Sequence, residues 1–163
     1  MTNILELGAR LRMLEDLEAI RQLKAHYFFC CDRKDPQGVR DCFMPGQVQI
    51  DYGRIGVFDD RNQLVDIFER LACQEHIVEM HHGENPQIVI VSDTDAHATW
   101  GLYYHQINTR ERTITQLGAY YEDEYRKLGN EWKISKTRCI VTSTLVTDLT
   151  DGMMKLVFAG RAA

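Results

Sequence analysis

Ile77–Ile107, "IVEMHHGENPQIVIVSDTDAHATWGLYYHQI", decides the architecture, because the apolar period changes within it. Ala98, Trp100, Leu102 and Tyr104 recur at every second position, the period of a half-buried strand. "IVEMHH" (77–82) reads as one strand, "GENP" as a turn, and "QIVIV" (87–91) as the next. "SDTD" then turns into the long alternating run.

Downstream the pattern persists. A charged loop, "NTRER", precedes "TITQLGAYYEDEY", "KLGNE" turns, and "WKISKTRCIVTSTL" is the last long strand, with "EDEY" and "TRER" read as solvated charge runs. Upstream the period is helical. Met13, Leu17, Ile20, Leu23, Tyr27 and Cys31 make one face over 11–31, and "DRKDP" ends that helix. Asp35 before Pro36 starts a short helix over 36–43, "QVQIDYG" reads as a strand, and Asp59 or Asp60 caps a third helix carrying Leu64, Ile67, Phe68 and Leu71. Helices first and antiparallel strands afterwards predict a single α+β domain over 1–163, with a core of about 10–145 and a tail at 146–163 that forms a short helix or an interface segment. A curved sheet with helices on one face encloses a cone-shaped apolar pocket.

Composition narrows the function. Net charge is −5 with no basic stripe, which argues against nucleic acid as a partner. At 44% apolar, the chain supports a real core, yet no apolar run nears the roughly 20 residues of a membrane span. No basic patch followed by a long apolar stretch opens the chain, so the cytosol is the expected compartment. Cys30, Cys31, Cys42, Cys73 and Cys139 form no C-x-x-C pair and read as free buried thiols. His26, His76, His97 and His105 lack any spacing that would gather them with His81, so no metal is expected.

"AIRQLKAHYFFCCDRKD", "QIDYG", "HHGENPQIVI", "ATWGLYY" and "GAYYEDEYRKLGNEWKIS" stand in the order found in SnoaL-like proteins of the nuclear transport factor two-like superfamily. Over about 10–145 the chain resembles the branch that contains scytalone dehydratase and bile-acid 7α-dehydratase. The resemblance implies a cone-shaped barrel around an apolar cavity, a homodimer or homotrimer, and chemistry without metal or organic cofactor. By position it implies catalytic roles for Tyr27, Asp32, Tyr52 and His81. Tyr104 matches a further polar position, where scytalone dehydratase has a second histidine. Trp100, Leu102, Phe28 and Phe68 become walls of a substrate site for a small apolar cyclic molecule.

On a strand His81 and His82 point to opposite faces, with Glu79 on the side of His81 and Met80 on that of His82. Periodicity does not choose between them; the resemblance chooses His81. Tyr27 and Asp32 lie five residues apart, about 140° around a regular helix, so they converge only if Asp32 sits at or beyond the helix end. Tyr27 and Tyr52 also suit ordinary core positions whose hydroxyls find partners. The expected activity is dehydration of a hydroxylated cyclic ketone, aromatic or steroid-like, with His81 as base, Asp32 orienting it and tyrosines as donors. The alternatives are an isomerase or cyclase on similar substrates, and a non-catalytic small-molecule-binding or protein-interaction domain.

Overall fold

The structure is a computed structural model, and it describes residues 3–150. The expected tail helix or interface segment therefore lies mostly outside the described residues.

Helix α1 (Ile4–Arg33) is about 45 Å long. The Asn3 side-chain oxygen accepts from the Leu5 amide and caps its start. Lys34, left-handed at φ 59°, closes its end, where the Lys34 and Asp35 amides donate to the carbonyls of Cys31 and Cys30. Asp35 then caps α2 (Pro36–Asp41), its carboxylate accepting from the Gly38 amide at 3.0 Å. This helix ends two residues earlier than expected, because Phe43 leaves it to form a parallel bridge with Ile134. β1 (Gln47–Asp51) and the short β2 (Val57–Asp60) precede α3 (Arg61–Leu71), and Asp60 is the capping aspartate.

β3 (Ile77–Ile90), β4 (Asp95–Asn108), β5 (Thr113–Leu128) and β6 (Glu131–Asp148) complete a six-stranded sheet in the order β2-β1-β6-β5-β4-β3. It is mixed rather than wholly antiparallel, since β1 runs parallel to β6, and it stays open. The expected "GENP" turn is instead a bulge inside one long strand. Asn85 takes φ 50° and Pro86 follows it, so pairing skips from Glu84↔Gly101 to Gln87↔Thr99. Proline has no N–H for a ladder, and an edge strand tolerates that loss where a central one does not.

One face of the sheet packs on α1. Ala96, Ala98, Trp100 and Leu102 of β4, Ala119, Tyr121 and Tyr125 of β5, and Trp132 and Ile134 of β6 are buried against Ile20, Tyr27 and Phe28. The expected stripe on α1 holds only toward its end: Leu17 is half-buried and Met13 is 53% exposed. Cys30, Cys31, Cys42 and Cys139 are free thiols; the first three are buried as expected, whereas Cys73 and Cys139 are half-buried. Burial pushes the Cys42 thiol up to about 12, and Cys30 and Cys31 upward too, which removes the thiolate a nucleophile would need. No helix among the described residues is long and apolar enough to cross a membrane.

Candidate active site

The last turns of α1 and the first half of β3 meet at one corner of the sheet. Asp32 lies within the final helical turn, two residues before the left-handed Lys34 ends it. Its carboxylate accepts from the His81 backbone N–H at 3.0 and 3.3 Å, and Oδ1 stands 2.7 Å from His81 Nδ1. A carboxylate only accepts, so Nδ1 carries a ring hydrogen, and in the neutral imidazole Nε2 keeps its lone pair. Among the described residues none bonds that Nε2. The side chains of His81 and Asp32 are 13% and 25% exposed, so the pair is sheltered but reachable. His82 points the other way, exposed, with Nε2 against the Met80 sulfur.

Aromatic rings fix the imidazole plane. Phe28 stacks on His81 with centroids 5.7 Å apart and 14° between planes, and the Tyr104 ring lies 4.8 Å away, tilted. Phe28 itself rests on Gly83: a Cβ there would come within 2.4 Å of the ring. Glycine is needed at 83 for close approach.

Tyr27 does not join Asp32. The five-residue spacing keeps them on different sides of the helix, as regular geometry demands. Tyr27 bonds Tyr52, hydroxyl to hydroxyl at 2.7 Å, and Phe28 stands between this pair and the imidazole, 5.5 Å from the Tyr27 ring. Burial pushes both phenols well above their usual range, so both remain protonated. Trp100 and Leu102 are buried walls, and Trp100 also donates its indole N–H to the Tyr125 hydroxyl at 2.9 Å. Phe68 is half-buried on α3, which packs chiefly on α2, β2 and β1 rather than at the imidazole.

Two polar clusters flank this corner that the sequence reading did not assemble. Glu79, next to His81 on the same strand face, accepts from Lys34 through one oxygen and from the Tyr104 hydroxyl at 2.7 Å through the other. Gln106 donates to the same hydroxyl at 2.8 Å. The period-two partner of His81 was the available signal for Glu79. The second cluster corrects the reading of "EDEY" as solvated. Asp123 and Tyr125 point inward, and only Glu122 and Glu124 are exposed. Asp123 accepts from Thr137 and Tyr125, each at 2.7 Å, and meets the Lys24 ammonium at 2.7 Å. That ammonium stands 3.6 Å above the centre of the Tyr121 ring.

Two hollows accompany these features. A groove of about 520 Å³ is lined by His97, Thr99, Glu122, Glu124 and Arg138 among others, and one of about 340 Å³ by Lys34, Cys73, Gln74 and Glu75. The deep apolar cavity expected beside His81 is neither of these. Phe28, Trp100, Leu102, Tyr121 and Tyr125 belong to one packed core cluster there. Among the described residues no three His, Cys, Asp or Glu side chains converge on a point where a metal ion would sit.

The helix-and-sheet arrangement is that of the nuclear transport factor two-like proteins. It matches a scytalone dehydratase candidate from Novosphingobium aromaticivorans at TM-score 0.76 and 22% identity, covering 93% of this chain and 98% of that one. It also matches the LinA-type3 hexachlorocyclohexane dehydrochlorinase of Novosphingobium barchaimii at TM-score 0.77 and 16% identity, over 90% and 98%. A third match is a nuclear transport factor two-like protein with a cystatin-like fold from Novosphingobium aromaticivorans, at TM-score 0.71 and 18% identity, over 93% of both chains. The SnoaL-like domain model matches residues 12–138. The chain belongs to the SnoaL-like family.

Proposed function

We propose that the protein is a cofactor-independent hydro-lyase that removes water from a hydroxylated cyclic ketone, aromatic or steroid-like. The observation that carries this reading is the Asp32–His81 contact at 2.7 Å with Nε2 unbonded. His81 Nε2 takes a proton alpha to the carbonyl, and Asp32 holds the Nδ1 hydrogen and balances the imidazolium charge. Tyr27 and Tyr52, kept protonated by burial, are the candidate donors toward the oxygen where enolate charge grows, although Phe28 separates them from the imidazole, so they would act only on a substrate that reaches past that ring. The imidazolium then returns its proton to the departing hydroxyl: the C–O bond breaks, a C=C bond forms and water leaves. No step calls on a metal or organic cofactor. The names of two fold relatives, a dehydratase candidate and a dehydrochlorinase, both denote eliminations.

The same parts without a leaving group would shift a double bond. The experiment that separates these readings is a screen of hydroxylated cyclic ketones for new conjugation by ultraviolet absorbance, with products identified by mass. Water loss by the parent, abolished in His81→Ala and Asp32→Asn, is the expected result. Alkene migration without water loss selects the isomerase. Equal turnover by all three proteins overturns the catalytic assignment and leaves a binding domain.

Assembly belongs to the same proposal. Tyr103, Tyr120, Val141, Leu145 and Val146 lie exposed on the sheet, a surface suited to a homodimer or homotrimer in the cytoplasm.

A further inference from the structure

Tyr104 carries one hydroxyl hydrogen and two lone pairs. Glu79 Oε2, 2.7 Å away, takes the hydrogen, because a carboxylate offers no donor. Gln106 Nε2 fills one lone pair at 2.8 Å. The other Glu79 oxygen faces the Lys34 ammonium, so both oxygens act as acceptors. The side chains of Glu79 and Lys34 are 5% and 8% exposed, which keeps water from competing for these bonds. One Tyr104 lone pair is left, on a ring 4.8 Å from the His81 imidazole.

We infer that Glu79 sets the polarity of ligand recognition at the His81 corner: it commits the Tyr104 hydrogen, so that Tyr104 offers a ligand only an acceptor. The site therefore selects a small cyclic molecule with an O–H donor beside His81, and it disfavours a keto group or halogen placed there. Tyr104 is thereby removed from the candidates for general acid. Glu79 is a positioning residue that acts through Tyr104. The inference deepens the hydro-lyase reading, since it specifies how the substrate hydroxyl is held.

Glu79→Gln inverts the arrangement. The Lys34 ammonium needs an acceptor, so the new amide turns its oxygen to Lys34 and its NH2 to Tyr104. With both lone pairs filled, Tyr104 has its hydrogen free for the ligand. The test measures dissociation constants for 4-hydroxyacetophenone and 4-fluoroacetophenone by calorimetry. The two differ at one donor, and neither can lose water. The parent should bind the hydroxyl compound about tenfold tighter, the worth of one net hydrogen bond. Glu79→Gln should bring the ratio to about one or reverse it. Tyr104→Phe, which removes a single oxygen and keeps the ring packing, should also erase the preference, so it carries the test if Glu79→Gln fails to fold. A parent ratio near one, a ratio that survives either variant, or no binding of either probe overturns the inference. Dehydration by a parent with a flat ratio overturns this inference alone. A tenfold ratio in a protein that dehydrates nothing overturns the hydro-lyase reading alone.

Discussion

Among the charge pairs that tie α1 to the sheet, two are built oppositely. Lys24–Asp123 lies in the middle of the core, its side chains 1% and 0% exposed, and the carboxylate also receives Thr137 and Tyr125. Asp32–His81 lies at the helix end, partly open, with one ring nitrogen unbonded. Both use the same helix and the same kind of contact. The difference is access: the Lys24 ammonium is sealed in the core, where no hydrogen bond of good geometry engages it, whereas the imidazole can be reached from solvent. A buried carboxylate with every neighbour in place holds the fold, whereas a sheltered imidazole with a free lone pair is equipped for proton transfer.

The sharpest way to break this contrast is to disable each pair in turn. His81→Ala and Asp32→Asn should lower turnover by about 10²–10⁴-fold, the usual scale for general base catalysis, with the melting temperature nearly unchanged. Lys24→Met should do the reverse. It strands Asp123 without its cation and should cost about 3–5 kcal/mol of stability, read from urea midpoints. Adding Asp123→Asn should recover much of that loss. If Lys24→Met unfolds nothing, the core pair is not the structural member of the comparison.

Alkali probes the buried thiols and phenols. Burial pushes the folded Cys42 thiol up to about 12 from an ordinary value of 9.0, so the folded state keeps its proton longer than the unfolded chain does. A raised folded value means full stability below about pH 9 and a progressive loss from there toward 12. The slope approaches about 1.4 kcal/mol per pH unit for one group. Guanidinium midpoints at pH 8 and pH 10.5 should show the fall, and Cys42→Ala should make it shallower. At the open corner, Gly83→Ala drives a methyl into Phe28 and should cost about 1–3 kcal/mol while it tilts the stacked imidazole and lowers turnover. The smallest effect belongs to His82→Ala, within about 0.5 kcal/mol and with turnover unchanged, because His82 faces away from the pair.

Much of this was legible in the letters. The change from helical to alternating period placed three helices and the long strands, and cap residues fixed α2 and α3. "GENP" misled because Asn85 and Pro86 carry turn chemistry, and only their place at a sheet edge makes them a bulge. "EDEY" misled because four polar letters hide a period of two: composition reads solvated while alternation sends Asp123 and Tyr125 inward. The meeting of Asp32 with His81 came from the family resemblance, since 49 residues of separation leave no local trace. The angular argument on α1 did hold physically. Tyr27 and Asp32 face apart, and the tyrosine pair forms its own station across Phe28.

The kink at Asn85–Pro86 has a bearing beyond the strand that carries it. An unclosed sheet leaves two rims where a stray chain can zip on. One rim, β2, is four residues long, and the other, β3, is interrupted midway by a left-handed residue and an imide nitrogen that cannot donate. Neither margin offers an uninterrupted template for fibre growth.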